Sequence, residues 1–206
     1  MATLTLDDIA AAGLDLIDQG GPDALTMRAV AEALGVSTMG LYHHVANKAA
    51  LVDLLVDRAY RERPLPTPSG EDWREDLLVL SKWTREITKA HPALPQLRHQ
   101  HHVWTSSLLT LGEHWISLWH RSGLEFEAAN QAAVASATAL IGYVNQEVAV
   151  ADVTPPDDSK LSWLPNMRVL AHQVPSAATN FDLVARSLID GIYTSLSQEG
   201  AAAEPR

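Results

Sequence analysis

The stretch from Thr26 to Lys48, TMRAVAEALGVSTMGLYHHVANK, limits what this chain can fold into more than any other. Thr26 offers a hydroxyl to the free backbone N–H groups that open a helix. Ala29, Val30, Ala33 and Leu34 recur at helical spacing and give that helix one apolar face. Gly35 follows where a left-handed backbone ends a helix at little cost. Val36 can fill the gap to a second helix, Thr38 to Val45, capped by Ser37 or Thr38. Two short helices joined by a glycine-containing turn form a helix-turn-helix, a motif whose second helix enters the DNA major groove.

Local charge points the same way. No acidic residue lies between Glu32 and Asp53. The window instead holds Ser37, Thr38, Tyr42, His43, His44 and Lys48, all donors able to reach phosphate oxygens or base edges. A helical hairpin buried inside a bundle is the competing reading, and Tyr42, His43, His44 and Asn47 are too polar for it. The whole chain carries a net charge of −10, and residues 1–60 hold only Arg28, Lys48 and Arg58 against eight acidic groups. The attraction to DNA must therefore be local, made by the recognition surface and by helix N-termini with their free N–H groups. Few phosphate contacts mean a shallow fall of DNA affinity with salt and little non-specific binding. A salt titration with a steep slope would contradict this account.

The rest of the chain reads as helix throughout. Thr5-Leu6-Asp7-Asp8 is a loose capping box opening a first helix to about Asp18, with Leu6, Ile9, Ala10, Gly13, Leu14 and Ile17 inward. Gly20-Gly21-Pro22 stops it. Asn47 caps a fourth helix carrying Leu51, Leu54 and Leu55 inward, and Arg63-Pro64 ends it. Pro64, Pro66, Pro68, Ser69 and Gly70 form a linker. Beyond it come a helix over 73–89, a short one near Leu97, one over 103–121, and a long Ala-rich one over 127–150. A polar loop over 153–160 containing Pro155-Pro156 leads to a helix over 165–173, ended by Pro175. A last helix opened by Asn180 or Asp182 repeats Phe181, Val184, Leu188, Ile192 and Leu196. The expected fold is all-α, with about nine or ten helices. The expected domains are a helix-turn-helix head (1–62), a larger ligand-binding and dimerisation body (63–200) and a disordered tail (201–206).

Absences narrow the function. The chain has no cysteine, which rules out a disulfide scaffold and a cysteine-ligated zinc finger. No basic region precedes an apolar run at the N-terminus, and no 18 consecutive apolar residues occur, so a cytoplasmic protein without a membrane span is expected. No nucleophile–base pair, His-x-x-x-His pair or Gly-rich phosphate loop suggests an enzyme. The His99-Gln-His-His102 run lacks the spacing of a helical metal site, so neither metal nor cofactor is expected.

LTMRAVAEALGVS followed by GLYHHVANKAALVDLLVDRA resembles the head of the tetracycline-repressor (TetR) family of regulators. The Gly-Val after the second helix, the Leu-Tyr-x-His of the recognition helix and the Asn-Lys opening the fourth carry the likeness, which covers about the first 60 residues. Past them only length and helical layout match. Arg28 can make the bidentate guanine contact that is the commonest specific base contact, and the resemblance implies that it reads a base. Thr38, Met39 and Gly40 form the first turn of the recognition helix. Met39 can touch a thymine methyl, and Gly40 lets the helix come close. Tyr42, His43, His44 and Lys48 suit phosphate contacts, with Ser37 and Thr26 adding hydroxyls or backbone N–H groups.

One recognition helix reads too few base pairs to find a genomic site, so a homodimer on a palindrome is expected, with heads about 34 Å apart. The long eighth helix and the last helix, with their small residues, would form that interface, which is also what the resemblance implies. The body is expected to hold a small-molecule effector, apolar or aromatic, among Trp83, His99, His102, Trp104, Leu108, Leu111 and Trp115, with Ile141 and Asn145 from the eighth helix. Trp119, His101 and His114 fall in the same region. The family's namesake binds a magnesium–tetracycline complex, but its drug-contacting Asn, Phe and His fall here at Leu80, Thr84 and Pro64, so tetracycline itself is not expected. The function implied is a ligand-released repressor on a double-stranded operator. An activator of the same fold is the alternative, followed by a helical binding protein or metal-dependent enzyme.

Overall fold

The computed structural model describes residues 4–150, 157–172 and 177–203. Within them every regular element is helical. The head comprises α1 (Leu6–Gly20), a 3-10 turn (Pro22–Ala24), α2 (Met27–Ala33), α3 (Thr38–Tyr42) and α4 (Lys48–Glu62). After the proline-rich segment come α5 (Trp73–Ala90), α6 (Leu94–Gln100), α7 (Ser106–His120) and α8 (Phe126–Ala149). Then follow α9 (Asp158–Leu161), α10 (Pro165–His172) and α11 (Ala177–Ala203). The eleventh helix, one more than expected, is α9. It is one turn inside the supposed polar loop, held by the Asp157 carboxylate, which accepts from the N–H groups of Ser159 (2.9 Å) and Lys160 (3.2 Å). Pro155, Pro156 and Pro175 lie outside the described residues. Helix α11 begins ahead of Asn180 and runs to Ala203, past the expected end at 200, and residues 204–206 again lie outside the described chain.

Side-chain caps fix the head's helix starts. Thr5 and Asp8 form a reciprocal capping box, Thr26 Oγ1 accepts from Ala29 N–H at 3.0 Å, and Asn47 Oδ1 accepts from Ala50 N–H at 2.9 Å. Each satisfies a donor that the first helical turn leaves unpaired. Ile9, Leu14, Ile17, Leu25, Val30, Leu41, Leu51 and Leu55 then form one closed core. Leu6, expected inside, is exposed. The buried line of α2 is Met27, Val30 and Ala31, with Leu34 packed at its edge, whereas Ala33 faces solvent. Gly13 allows the close approach of α1 to α4: a Cβ there would stand 2.7 Å from Leu55 Cδ1.

This first core does not stop at the linker. Leu94 and Leu97 of α6, Val103, and Leu108 at the start of α7 belong to it. A second core gathers Leu77, Leu80 and Trp83 of α5, Leu111, Trp115, Leu118 and Trp119 of α7, Ala129 to Val144 along α8, and Phe181, Ala185 and Ile189 of α11. On α11 the fully buried line is thus Phe181, Ala185 and Ile189, while Val184, Leu188, Ile192 and Leu196 are only half-buried. Helices α5 and α8 are also joined by Arg85, which grips Glu147 with two N–H groups (Nε to Oε2, 2.8 Å) and lies over the Phe181 ring. This pairing holds the Glu147 carboxyl below the usual range.

Two body residues tie down the linker. Trp83 Nε1 donates to the carbonyls of Arg63 (3.2 Å) and Pro64 (2.9 Å). The buried Asp76 carboxylate accepts from Ser69 N–H (2.7 Å), Gly70 N–H (3.2 Å) and the Arg121 guanidinium (2.8 Å). Burial alone would raise the Asp76 pKa, but these donors prevail and hold it at about 2. Asp76 therefore adds stability in full above pH 4, and loses it as pH falls through 2. The contribution is about 2 kcal/mol. Urea unfolding of Asp76→Asn should show that deficit at pH 7, and the gap to the parent chain should narrow steadily below pH 4.

Candidate nucleic-acid interface and ligand cavity

The turn between α2 and α3 closes as its glycine requires. Gly35 has φ 66°, its N–H donates to Glu32 O at 3.1 Å, and Val36 N–H reaches back to Ala31 O at 2.9 Å. Ser37 rather than Thr38 caps α3, accepting from Gly40 N–H at 2.9 Å. A Cβ at Gly40 would sit 3.1 Å from that Ser37 oxygen, so the glycine leaves room for the cap. Helix α3 ends at Tyr42, earlier than the expected Val45, and His43 and His44 continue as a turn bonded to Gly40 O and Leu41 O.

Leu41 and Val45 are buried and anchor α3 to the head core. Thr26, Arg28, Ser37, Met39, Tyr42, His43 and His44 are exposed, and Thr38, Gly40 and Lys48 are half-exposed. Met39 is 70% exposed at the start of α3. Among the described residues neither Arg28 nor Lys48 makes an ion pair, whereas Arg58 is held by Asp7 and Glu62, and Arg61 lies 3.7 Å from Asp7. The two unpaired cations of the head are thus the two in the helix-turn-helix segment.

A cavity of about 320 Å³ opens between α4, α5, α6, α7 and α8. Its walls come from Val56 and Tyr60 of α4, Thr84, Ile87 and Thr88 of α5, His91, and Leu94, Pro95 and Arg98 of α6. Trp104, Leu108, Leu111, Gly112, Trp115 and Ile116 line it from the α7 side, and Ala133, Val134, Ala137, Thr138 and Ile141 from α8. The Thr84 and Thr88 hydroxyls donate to carbonyls one turn back, both at 2.9 Å, which leaves their oxygens as acceptors. Burial raises the Tyr60 phenol pKa, and the Arg98 charge opposes this only in part. His91 joins this wall to the head: Nδ1 lies 2.9 Å from Asp18 of α1, and Nε2 lies 3.8 Å from Glu62 of α4.

Trp104, Leu108, Leu111, Trp115 and Ile141 line this cavity together, whereas four other anticipated residues do not. Trp83 is the clamp on the linker, and meets Tyr60 edge to face at 5.5 Å. His99, on the outer face of α6, and His102, at a turn with φ 51°, are exposed and outside the cavity. Asn145 faces a neighbouring groove with Pro92, Gln96, Arg98 and Val148. Trp119 is core, and His114 bonds Thr110 O one turn back. Among the described residues no three His, Asp or Glu side chains converge as a metal would need. Val56, Tyr60, His91 and Arg98 were not anticipated. Their one visible signal is the Pro92–Pro95 break, which folds α6 back onto α4.

Residues 9–55 match the family described as bacterial regulatory proteins, tetR family. The head of the chain thus matches the TetR family. The match spans α1 to the middle of α4, the part that builds the helix-turn-helix. The HTH-type transcriptional repressor DrrR1 from Streptomyces coeruleorubidus is 34% identical over 123 residues, 59% of this chain and 46% of that protein. The chain spans about half the length of the curated relatives it matches. Apo ActR from Streptomyces coelicolor superposes with a TM-score of 0.76 at 26% identity, over 98% of this chain and 100% of the other. A single-residue variant of TetR from Acinetobacter baumannii AYE, in complex with minocycline, gives 0.69 at 26% identity over 94% and 99%. The body, illegible as TetR from sequence, thus shares the TetR fold. No described helix is long and apolar enough to cross a membrane.

Proposed function

We propose that this protein is a cytoplasmic, ligand-responsive transcriptional repressor that binds a palindromic operator as a homodimer and is released by a small molecule. The observation that carries this reading is the continuity of α4. Its N-terminus, with Asn47 and Lys48, follows directly on the recognition segment, and its C-terminal half supplies Val56 and Tyr60 to the cavity. A ligand against Tyr60 therefore touches the same rigid helix that sets the head's position. Such a ligand shifts the protein between states only by its different affinity for each.

Arg28 and the first turn of α3, Thr38 to Gly40, take the base contacts. Thr26, Ser37, Tyr42, His43, His44 and Lys48 take the phosphates. The dimer forms through α8 and α11, where Leu183 (65% exposed) and a groove between Ala135, Leu188, Gly191, Ile192 and Leu196 offer apolar surface beside small residues. The relative named a transcriptional repressor and the solved relative holding minocycline support the two halves of the reading. The test is selection of binding sites from a random DNA pool. A palindrome with half-sites about one helical turn apart is the expected result. No enrichment, with Arg28→Ala indistinguishable from the parent, would refute DNA reading by this head.

A further inference from the structure

The chemistry of the cavity wall is out of step with the chain around it. The chain holds 25 acidic against 15 basic residues, yet no carboxylate lines the cavity, while Arg98 and His91 do. His91 is already engaged by Asp18. Arg98 is half-buried, and its guanidinium makes neither an ion pair nor a hydrogen bond among the described residues. The Tyr60 hydroxyl, on the same wall, likewise has no hydrogen-bond partner among the described residues. A guanidinium keeps its charge at any working pH and presents a planar fork of donors that matches a carboxylate. Set in mostly apolar walls, such a charge leaves a strong electrostatic preference unsatisfied. Trp115, buried, and Trp104, 73% exposed yet lining the cavity, offer broad ring faces.

We propose that the effector is an aromatic acid, its ring system held by Trp104 and Trp115 and its carboxylate or comparably acidic oxygen paired with Arg98, with the Tyr60 hydroxyl donating a second bond. This rests on the cavity being the effector site, and it names the chemical class that site selects. The volume of about 320 Å³ suits two or three fused rings.

Calorimetric titration with anthracene-2-carboxylate and its neutral amide, anthracene-2-carboxamide, tests it on the full chain. The parent protein should bind the carboxylate at least about tenfold more tightly than the amide. Arg98→Gln should erase that preference while leaving amide affinity nearly unchanged, and Arg98→Lys should keep part of it. Gly112→Leu, whose new side chain extends into open space on the cavity wall, should abolish binding of both probes. Equal binding of the two probes by the parent, lost in Gly112→Leu, would overturn the acid preference while leaving the effector cavity in place. A preference that survives Arg98→Gln would overturn the role of Arg98. Neither probe binding, or binding indifferent to Gly112→Leu, would overturn the cavity assignment and this proposal with it.

Discussion

Leu55→Ala should lower the unfolding free energy by about 3 kcal/mol, and Gly13→Leu should restore a good part of the loss when combined with it. Leu55 is fully buried in the head core, and the nearest foreign atoms to a Cβ on Gly13 are its Cδ1 at 2.7 Å and its Cδ2 and Cγ at 3.3 Å. One leucine therefore fills the space that two would contest. Truncating it leaves a cavity between α1 and α4 that fixed helix backbones cannot close. Gly13→Leu alone overfills the same space and should cost about 1–3 kcal/mol, partly offset by the better helix propensity of leucine. Together the two changes move the side chain from α4 to α1 at nearly constant volume. Urea unfolding of the parent, both single variants and the double variant measures the coupling, expected at 1 kcal/mol or more in the favourable sense. If the single costs merely add, the close approach at Gly13 does not set the α1–α4 packing. Operator affinity should fall with stability across the four proteins, because Leu41 and Val45, which anchor the recognition segment, are buried in this same core.

Local rules placed the head well. Thr5, Thr26 and Asn47 cap the helices assigned to them, and Gly35 takes the left-handed conformation assigned to it. Such signals act over three or four residues and need no partner from elsewhere in the chain. The face of α2 was harder to read. In a seven-residue helix, Ala29, Val30, Ala33 and Leu34 and the true line Met27, Val30, Ala31 and Leu34 both satisfy helical spacing. Only packing against α1 and α3 distinguishes them. The same holds for α11, where Phe181, Ala185 and Ile189 turn inward although the larger residues beside them repeat as regularly.

The cavity was legible only on the side that announces itself by composition. Trp104, Trp115 and the leucines of α7 stand out in any apolar stripe. Tyr60 and Arg98 do not, since nothing local marks a tyrosine in an Asp/Arg-rich helix, or an arginine in a histidine-rich stretch, as facing a cavity. Their meeting depends on the angle at which Pro92–Pro95 returns α6 to α4, a long-range outcome. Conversely, His99 and His102 were expected at the effector, but His99 lies on the exposed face of α6 and His102 at the turn that follows it.

The tryptophans themselves separate by a second large effect. Trp119→Ala should cost about 3–5 kcal/mol, enough to abolish cooperative folding of a marginal domain. The Trp119 side chain is completely buried, its ring lies 5.7 Å from Trp73, and its Nε1 donates to Ser136 Oγ at 3.0 Å. Trp73 in turn meets Tyr193 of α11 at 5.0 Å, so the ring stack runs from α7 through α5 to α11. Removing its inner member loosens the α8–α11 face on which dimerisation is proposed, and dissociation should therefore appear together with the lowered urea midpoint. Trp119→Phe should recover most of the packing and lose chiefly the hydrogen bond. That loss is about 1 kcal/mol, because Ser136 Oγ keeps its own donation to Ala132 O at 2.7 Å. Trp104→Ala should do the opposite: stability within about 0.5 kcal/mol of the parent, as for other exposed positions, but weakened binding of aromatic probes. A stability loss of similar size in Trp104→Ala and Trp119→Ala would mean that the exposed ring also supports the fold, and that its place at the cavity is structural rather than receptive.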